Sequence, residues 1–264
     1  MPLTIPVGNR YAHALNDGFF RAPRNFFDVA GVYERVAGEA EELETPVGAF
    51  LWPGERNVLV DAGVGPIDYL GRGRLVGGQL LDELRCLRLE PNEIHTLALS
   101  HLHPDHAGWV ATPDGEITFK NATIVLAQAE WNHFMFAHRD QLADHLIHAL
   151  QTHFDQGRVE LVDGEREIGH GLRLIPAPGH TPGHSLFSLH DHDDRLLLLG
   201  DAIFCPLQLT ETDVATLSDM DKDVARRTRE AIARELEIHE TRSVGCHFPG
   251  LTVGRILGKE WTVQ

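Results

Sequence analysis

Short apolar runs that stop at turns constrain this chain more than any other feature. TPVGAFLWPG, RNVLVDAGVG, IHTLALS, ATIVLAQAE, LRLIPAPG, HSLFSLHD, RLLLLGDAI and TRSVGCHF are rich in β-branched and aliphatic residues and are bounded by Gly, Pro and Asp. Runs of about 5–8 such residues read as strands. Helical spacing is clearest in Asp221–Glu240, where Val224, Ala225, Ile232 and Leu236 fall near one face. Weaker helical patterns cover Gly78–Leu87, a stretch after His106, and Glu130–Phe154. Strands in clusters with helices between them predict an α/β fold in which two packed mixed sheets carry helices outside, a four-layer αββα sandwich. We expect a single domain over 1–264, with two halves meeting near 160–170.

Composition narrows the function classes. A formal charge of −16 argues against a nucleic-acid partner, which would need a surplus of Lys and Arg. No apolar run approaches the roughly 20 residues of a membrane helix, and MPLTIPVGNRYAH lacks the basic-then-apolar pattern of a secretory signal. Cys86, Cys205 and Cys246 are odd in number, widely spaced and form no CxxC, which suits a reducing cytoplasm. A soluble protein acting on a small molecule, with no nucleic acid and no membrane, is the expectation.

LALSHLHPDHAGW places three histidines and an aspartate within six residues, directly after an apolar run. His101 and His103 are two apart, so in an extended segment their rings point the same way. Asp105 and His106 follow past Pro104, so one loop can offer two pairs of ligands to two neighbouring points. Imidazole and carboxylate suit zinc and related divalent ions. Three later strand-to-loop junctions can complete such sites: His180 in PAPGHTPGH, Asp201 in LLLLGDAIF and His247 in SVGCHFPG.

HxHxDH, GHTPGH, an apolar strand ending in GD, and a strand-terminal His together resemble the metallo-β-lactamase superfamily. NVLVDAGVG and AEW are similar to further segments of it, and GDAIFCPLQ with CHFPGLTVGRI looks like the branch of N-acyl homoserine lactonases and methyl parathion hydrolase. The resemblance implies that His101, His103 and His180 bind one metal. It implies that Asp105, His106 and His247 bind a second, with Asp201 bridging both. Asp61 would orient a ligand histidine from outside, and His184 would lie nearby without binding metal. Zinc is the expected ion, with iron, manganese or cobalt as alternatives, and relatives suggest a homodimer. Two ions about 3.5–4 Å apart hold a shared water and lower its pKa toward neutrality, giving a hydroxide that attacks an ester-like bond. Asp105 and Asp201 are the expected catalytic carboxylates.

The expected substrate is a small, partly apolar lactone of the N-acyl homoserine kind. Phosphotriesters, aryl esters and thioesters are alternatives, as is a one-iron oxidoreductase of the persulfide dioxygenase type or a non-catalytic binding protein. The best-known lactonases carry Tyr three residues after the bridging Asp, where this chain has Phe204. Phe19, Phe20, Phe26 and Phe27, with Phe204, are candidates for an apolar substrate wall that Trp52 and Phe136 could extend. His133, His138, His145, His148 and His153 read as a solvated helix surface, and HDHDD (190–194) as a hairpin turn.

Overall fold

In a computed structural model, which describes residues 2–258 and 260–264, the strands assort into two sheets. The first holds nine among the described residues: β1 (Leu3–Val7), β2 (Arg10–Arg21), β3 (Glu44–Trp52), β4 (Asn57–Val60), β5 (Asp68–Leu70), β6 (Arg74–Val76), β7 (Ile94–Ala98), β8 (Thr123–Ala127) and β9 (Val159–Val162). Their order is β5-β6-β2-β3-β4-β7-β8-β9, with β1 alongside β2. The second holds β10 (Arg166–Gly169), β11 (Leu172–Pro176), β12 (Ser185–Asp191), β13 (Asp194–Leu198), β14 (Arg242–Val244), β15 (Gly254–Leu257) and β16 (Glu260–Val263), in chain order. Both sheets are mixed: β4, β7, β8 and β9 run parallel, as do β13 and β14, and the other pairings are antiparallel.

Among the described residues six α-helices accompany them: α1 (Val32–Ala37), α2 (Leu80–Cys86), α3 (Pro104–Ala107), α4 (Gln128–Trp131), α5 (Asp144–Asp155) and α6 (Lys222–His239). Side chains alternate across a strand, so β13 serves two cores. Leu196 and Leu198 pack against Phe50, Val60 and Val125 between the sheets. Leu197 and Leu199 meet Ile232 and Leu236 of α6 outside. On the first sheet, Leu51, Leu59 and Leu97 lie under Leu80, Leu84, Leu146 and Leu150 of α2 and α5. Each fully buried leucine contributes about 1.5–3 kcal/mol of transfer free energy, so these apolar faces fix helix, sheet, sheet and helix as successive layers.

The α6 helix begins where Asp221 accepts a hydrogen bond from Val224 N and ends at Glu240 in the left-handed region. Its buried stripe is Ala225, Arg229, Ile232 and Leu236, with an arginine where an apolar residue would be expected. The helical stretch expected over Glu130–Phe154 is broken instead. A wide π-turn over Asn132–Ala137 and a 3-10 turn over Arg139–Gln141 separate α4 from α5, burying Phe134 and Met135 while leaving Phe136 at 75% exposure. Trp52 also departs from the expected substrate wall. It is buried between the sheets, under the Arg10 guanidinium at 3.8 Å, and donates to the His170 carbonyl. His153 is buried rather than solvated. The 190–194 segment does form the β12–β13 hairpin, Asp191 opposite Asp194. Among the described residues no helix is long and apolar enough to cross a membrane.

Candidate metal centre

Parallel strands deliver their carboxyl ends to one rim, where loops can project side chains past the sheet. From β4 comes Asp61, from β7 the loop 101–106, from β13 Asp201 and from β14 His247, while the turn after β11 brings His180. Two clusters result. His101 Nε2 and His180 Nε2 stand 3.0 and 2.9 Å from His103 Nδ1, with the rings within 4.8 Å of one another and steeply inclined. In the second cluster, Asp201 Oδ1 lies 3.2 Å from His106 Nε2 and 3.3 Å from His247 Nε2, and Asp105 Oδ2 lies 3.4 Å from His247 Nε2. The other Asp201 oxygen, Oδ2, is 3.4 Å from His180 Nε2, so one carboxylate faces both clusters. All seven expected residues therefore converge.

The outer nitrogens are held by acceptors, which sets the tautomers. His106 Nδ1 donates to Asp61 Oδ2 at 2.9 Å. His101 Nδ1 is 3.0 Å from Ser100 Oγ, which itself donates to Asp61 Oδ2. His247 Nδ1 donates to the Pro46 carbonyl at 2.8 Å, and His180 Nδ1 to Asp219 Oδ1 at 3.1 Å. Asp61 sits at φ 61°, a left-handed conformation that a non-glycine residue adopts at some cost. His184 stays outside both clusters, where its Nε2 accepts from Asp201 N.

Three inward atoms of the second cluster are left without a hydrogen bond. His106 Nε2, His247 Nε2 and Asp201 Oδ1 are buried and, although Asp201 Oδ1 stands 3.2 and 3.3 Å from the two nitrogens, make no hydrogen bond, a costly arrangement for buried polar atoms. Donor types and spacings fit divalent cations, since nitrogens around a tetrahedral ion stand about 3.3 Å apart. Burial and the neighbouring imidazoles hold His101 well below its ordinary pKa and bring His103 down to about 3. Burial works the same way on His106 and His247, but the carboxylates prevail. Asp201, Asp61 and Asp105 raise His106 well above the ordinary range, and Asp201 and Asp105 lift His247 to about 9. Burial disfavours the ionised forms of Asp201 and Asp105, yet the facing histidines lower both carboxyls.

Beside the clusters opens a cleft of about 450 Å³ whose lining includes His103, Asp105, Asp201, Phe20, Phe26 and Phe204. Phe204 stacks on His247 with ring centroids 4.6 Å apart, and Phe26 packs on Phe204 at 4.7 Å. Phe27 backs this wall from the core. Phe19 does not join it: as the neighbour of Phe20 on β2 it points to the other face, beneath the Arg21 guanidinium. Sequence reasoning missed Phe134, which lines the cleft edge-on to His103. It also missed Asp219, held by the fully buried Arg229 of α6 at 3.0 Å. The only hint of that pair was an arginine inside an apolar stripe.

The metallo-beta-lactamase superfamily model matches residues 48–236, well over half of the chain. The chain belongs to this superfamily. Among curated members, the N-acyl homoserine lactonase AiiA of Bacillus thuringiensis subsp. kurstaki is 27% identical over 216 residues, 74% of this chain and 80% of that protein. An N-acyl homoserine lactonase of a Bacillus species is 28% identical over 240 residues, 83% and 89% of the two chains. Among solved structures, AidC, a dizinc quorum-quenching lactonase in complex with a product, superposes with a TM-score of 0.86 at 22% identity, covering 100% of this chain and 97% of that one. The hydrolase AbOPH gives 0.85 at 22% identity, covering 99% and 96%. At these identities the structural likeness establishes the fold.

Proposed function

We propose that this chain is a dinuclear metal hydrolase that opens lactones of small, partly apolar molecules, N-acyl homoserine lactones being the leading class. The observation that carries the reading is the set of unpartnered inward atoms of His106, His247 and Asp201, meeting a three-histidine cluster across one shared carboxylate. Relatives named as N-acyl homoserine lactonases across most of the chain support the substrate class. We assign His101, His103 and His180 to one ion and Asp105, His106 and His247 to the other, with Asp201 shared. Zinc is the ion we favour, and iron, manganese and cobalt share its preference for these donors. When bound, the pair would supply an acidified water and Lewis acidity toward the oxygen under attack.

The chain's own groups do the rest. Asp201 directs one oxygen to each cluster and so sets their separation. Asp105, 13% exposed and lining the cleft, is the carboxylate through which we route the proton. As water adds to the lactone carbonyl and the ring C–O bond breaks, Asp105 takes the proton on the carboxylate oxygen not turned to His247 and returns it to the departing alkoxide. The product is the open hydroxy acid. Phe20, Phe26 and Phe204 give the apolar part of the substrate a wall and keep bulk water off that side. Complete second-cluster residues favour this reading over a one-iron oxidoreductase. Three unpaired cysteines support a reducing, cytoplasmic setting.

Metal-loaded protein tested on lactones of graded acyl length, neutral phosphotriesters and aryl esters decides the matter. We expect lactones to lead in kcat/KM, with activity lost to a chelator and restored by zinc. Phosphotriesters or aryl esters leading by a large factor would overturn the lactone assignment. That second reading is favoured by one feature, the bare phenyl ring of Phe204 on His247 where a phenol would assist a carbonyl.

A further inference from the structure

One fully buried carboxylate near the clusters faces no ion site and is not used by the proposed chemistry. Glu130, in α4, accepts from Leu102 N at 2.9 Å through Oε1. Its Oε2 accepts from Thr181 Oγ1 at 2.7 Å and from Gly183 N at 3.0 Å. Leu102 is the residue between His101 and His103, and Thr181 directly follows His180. Among the described residues no Lys or Arg pairs with Glu130, so three neutral donors are what balances its burial. The approach is close: a Cβ on Gly183 would stand 2.0 Å from Glu130 N. Asp61 braces the same loop from another side, accepting from His106 Nδ1 of the other cluster and from Ser100, whose Oγ is also 3.0 Å from His101 Nδ1.

We propose that Glu130 is a positioning residue that joins the two loops carrying His101, His103 and His180, and thereby sets the affinity of that three-histidine cage alone. The proposal rests on the dinuclear reading above. Among the described residues no other side chain is hydrogen-bonded both to the peptide between two of these ligands and to the peptide beside the third. Glutamine at 130 cannot replace the carboxylate. Whichever way its amide is turned, its NH₂ opposes either Leu102 N–H or Gly183 N–H, and one backbone donor loses its acceptor.

The test separates the cages. In full-length H106A/H247A, only the three-histidine cage keeps its full set; in H103A/H180A, only the mixed cage does. Titration with cobalt(II), followed by its visible absorption, gives an affinity for each. We expect Glu130→Gln to weaken cobalt binding about 10–100-fold in the first background and less than about threefold in the second. Thr181→Val should give a smaller loss confined to the same cage, with Thr181→Ser restoring near-parental binding, which guards against a Glu130 variant that folds poorly. Equal losses in both backgrounds, or none in either, would overturn the proposal. If the parent chain takes up no cobalt at all, the dinuclear reading fails first and takes this inference with it.

Discussion

The two cages differ in what they hold before any cation arrives. In the three-histidine cage, burial and the neighbouring imidazoles disfavour protons on His101 and His103. The mixed cage already contains its own countercharge, because Asp105 and Asp201 keep protons on His106 and His247. Two imidazoles of the first cage are thus held neutral, whereas the second sets opposite charges face to face with no hydrogen bond between them. Similar residue types, placed about one carboxylate apart, give two sites that differ in how protons compete with metal.

Removing what the cages share should have the largest effect. Asp201→Ala takes a ligand from both and should lower kcat/KM by about 10³-fold or more, measured by initial rates alongside metal analysis; a loss under about tenfold would mean that the carboxylate does not link the sites. Next come the cage-specific losses. His103→Ala and His247→Ala should each retain about one ion of two, and retention of both by either variant would contradict its assignment.

Proton competition sharpens the contrast further. A cation entering the mixed cage must displace the protons of His106 and His247, so its affinity there falls as pH falls, and the dependence persists up to about 9, where His247 titrates. In the three-histidine cage, His101 is held low and His103 at about 3, so these two ligands should add little pH dependence above about pH 5. Calorimetry in buffers of different ionisation heat should find about two protons released per ion in H103A/H180A and fewer in H106A/H247A. For the metal-free chain the raised His247 adds stability below its ordinary value of 6.5, and that stability is lost as pH rises through about 9. The smallest effect concerns the cleft. Phe204→Tyr would set a phenol beside His247 and should shift selectivity toward lactones by about 2–10-fold, read as a ratio of kcat/KM values.

Much of this was legible in the chain. The seven proposed ligand positions sit at strand ends and in the loops that follow them, where turn chemistry is local and the residue types are distinctive. The layered fold follows from runs such as RLLLLGDAI, whose leucines must satisfy two cores. What could not be read depended on tertiary contact. Asp219, Glu130 and Arg229 look like ordinary surface charges until the fold brings His180, Leu102 and Thr212 to them. Phe19 and Phe20 differ only by strand parity, which no composition argument resolves. The break between α4 and α5 is a local choice of π-turn over α-helix, made where burying Phe134 and Met135 outweighs regular hydrogen bonding.

Asp201 and His247 are delivered by one sheet, and His101 through His106 by the other. A pair of ions held among them would therefore rivet the sandwich across its seam. Chelation should do more than silence the enzyme: it should loosen one layer from the next, exposing the seam to proteases and lowering the melting temperature.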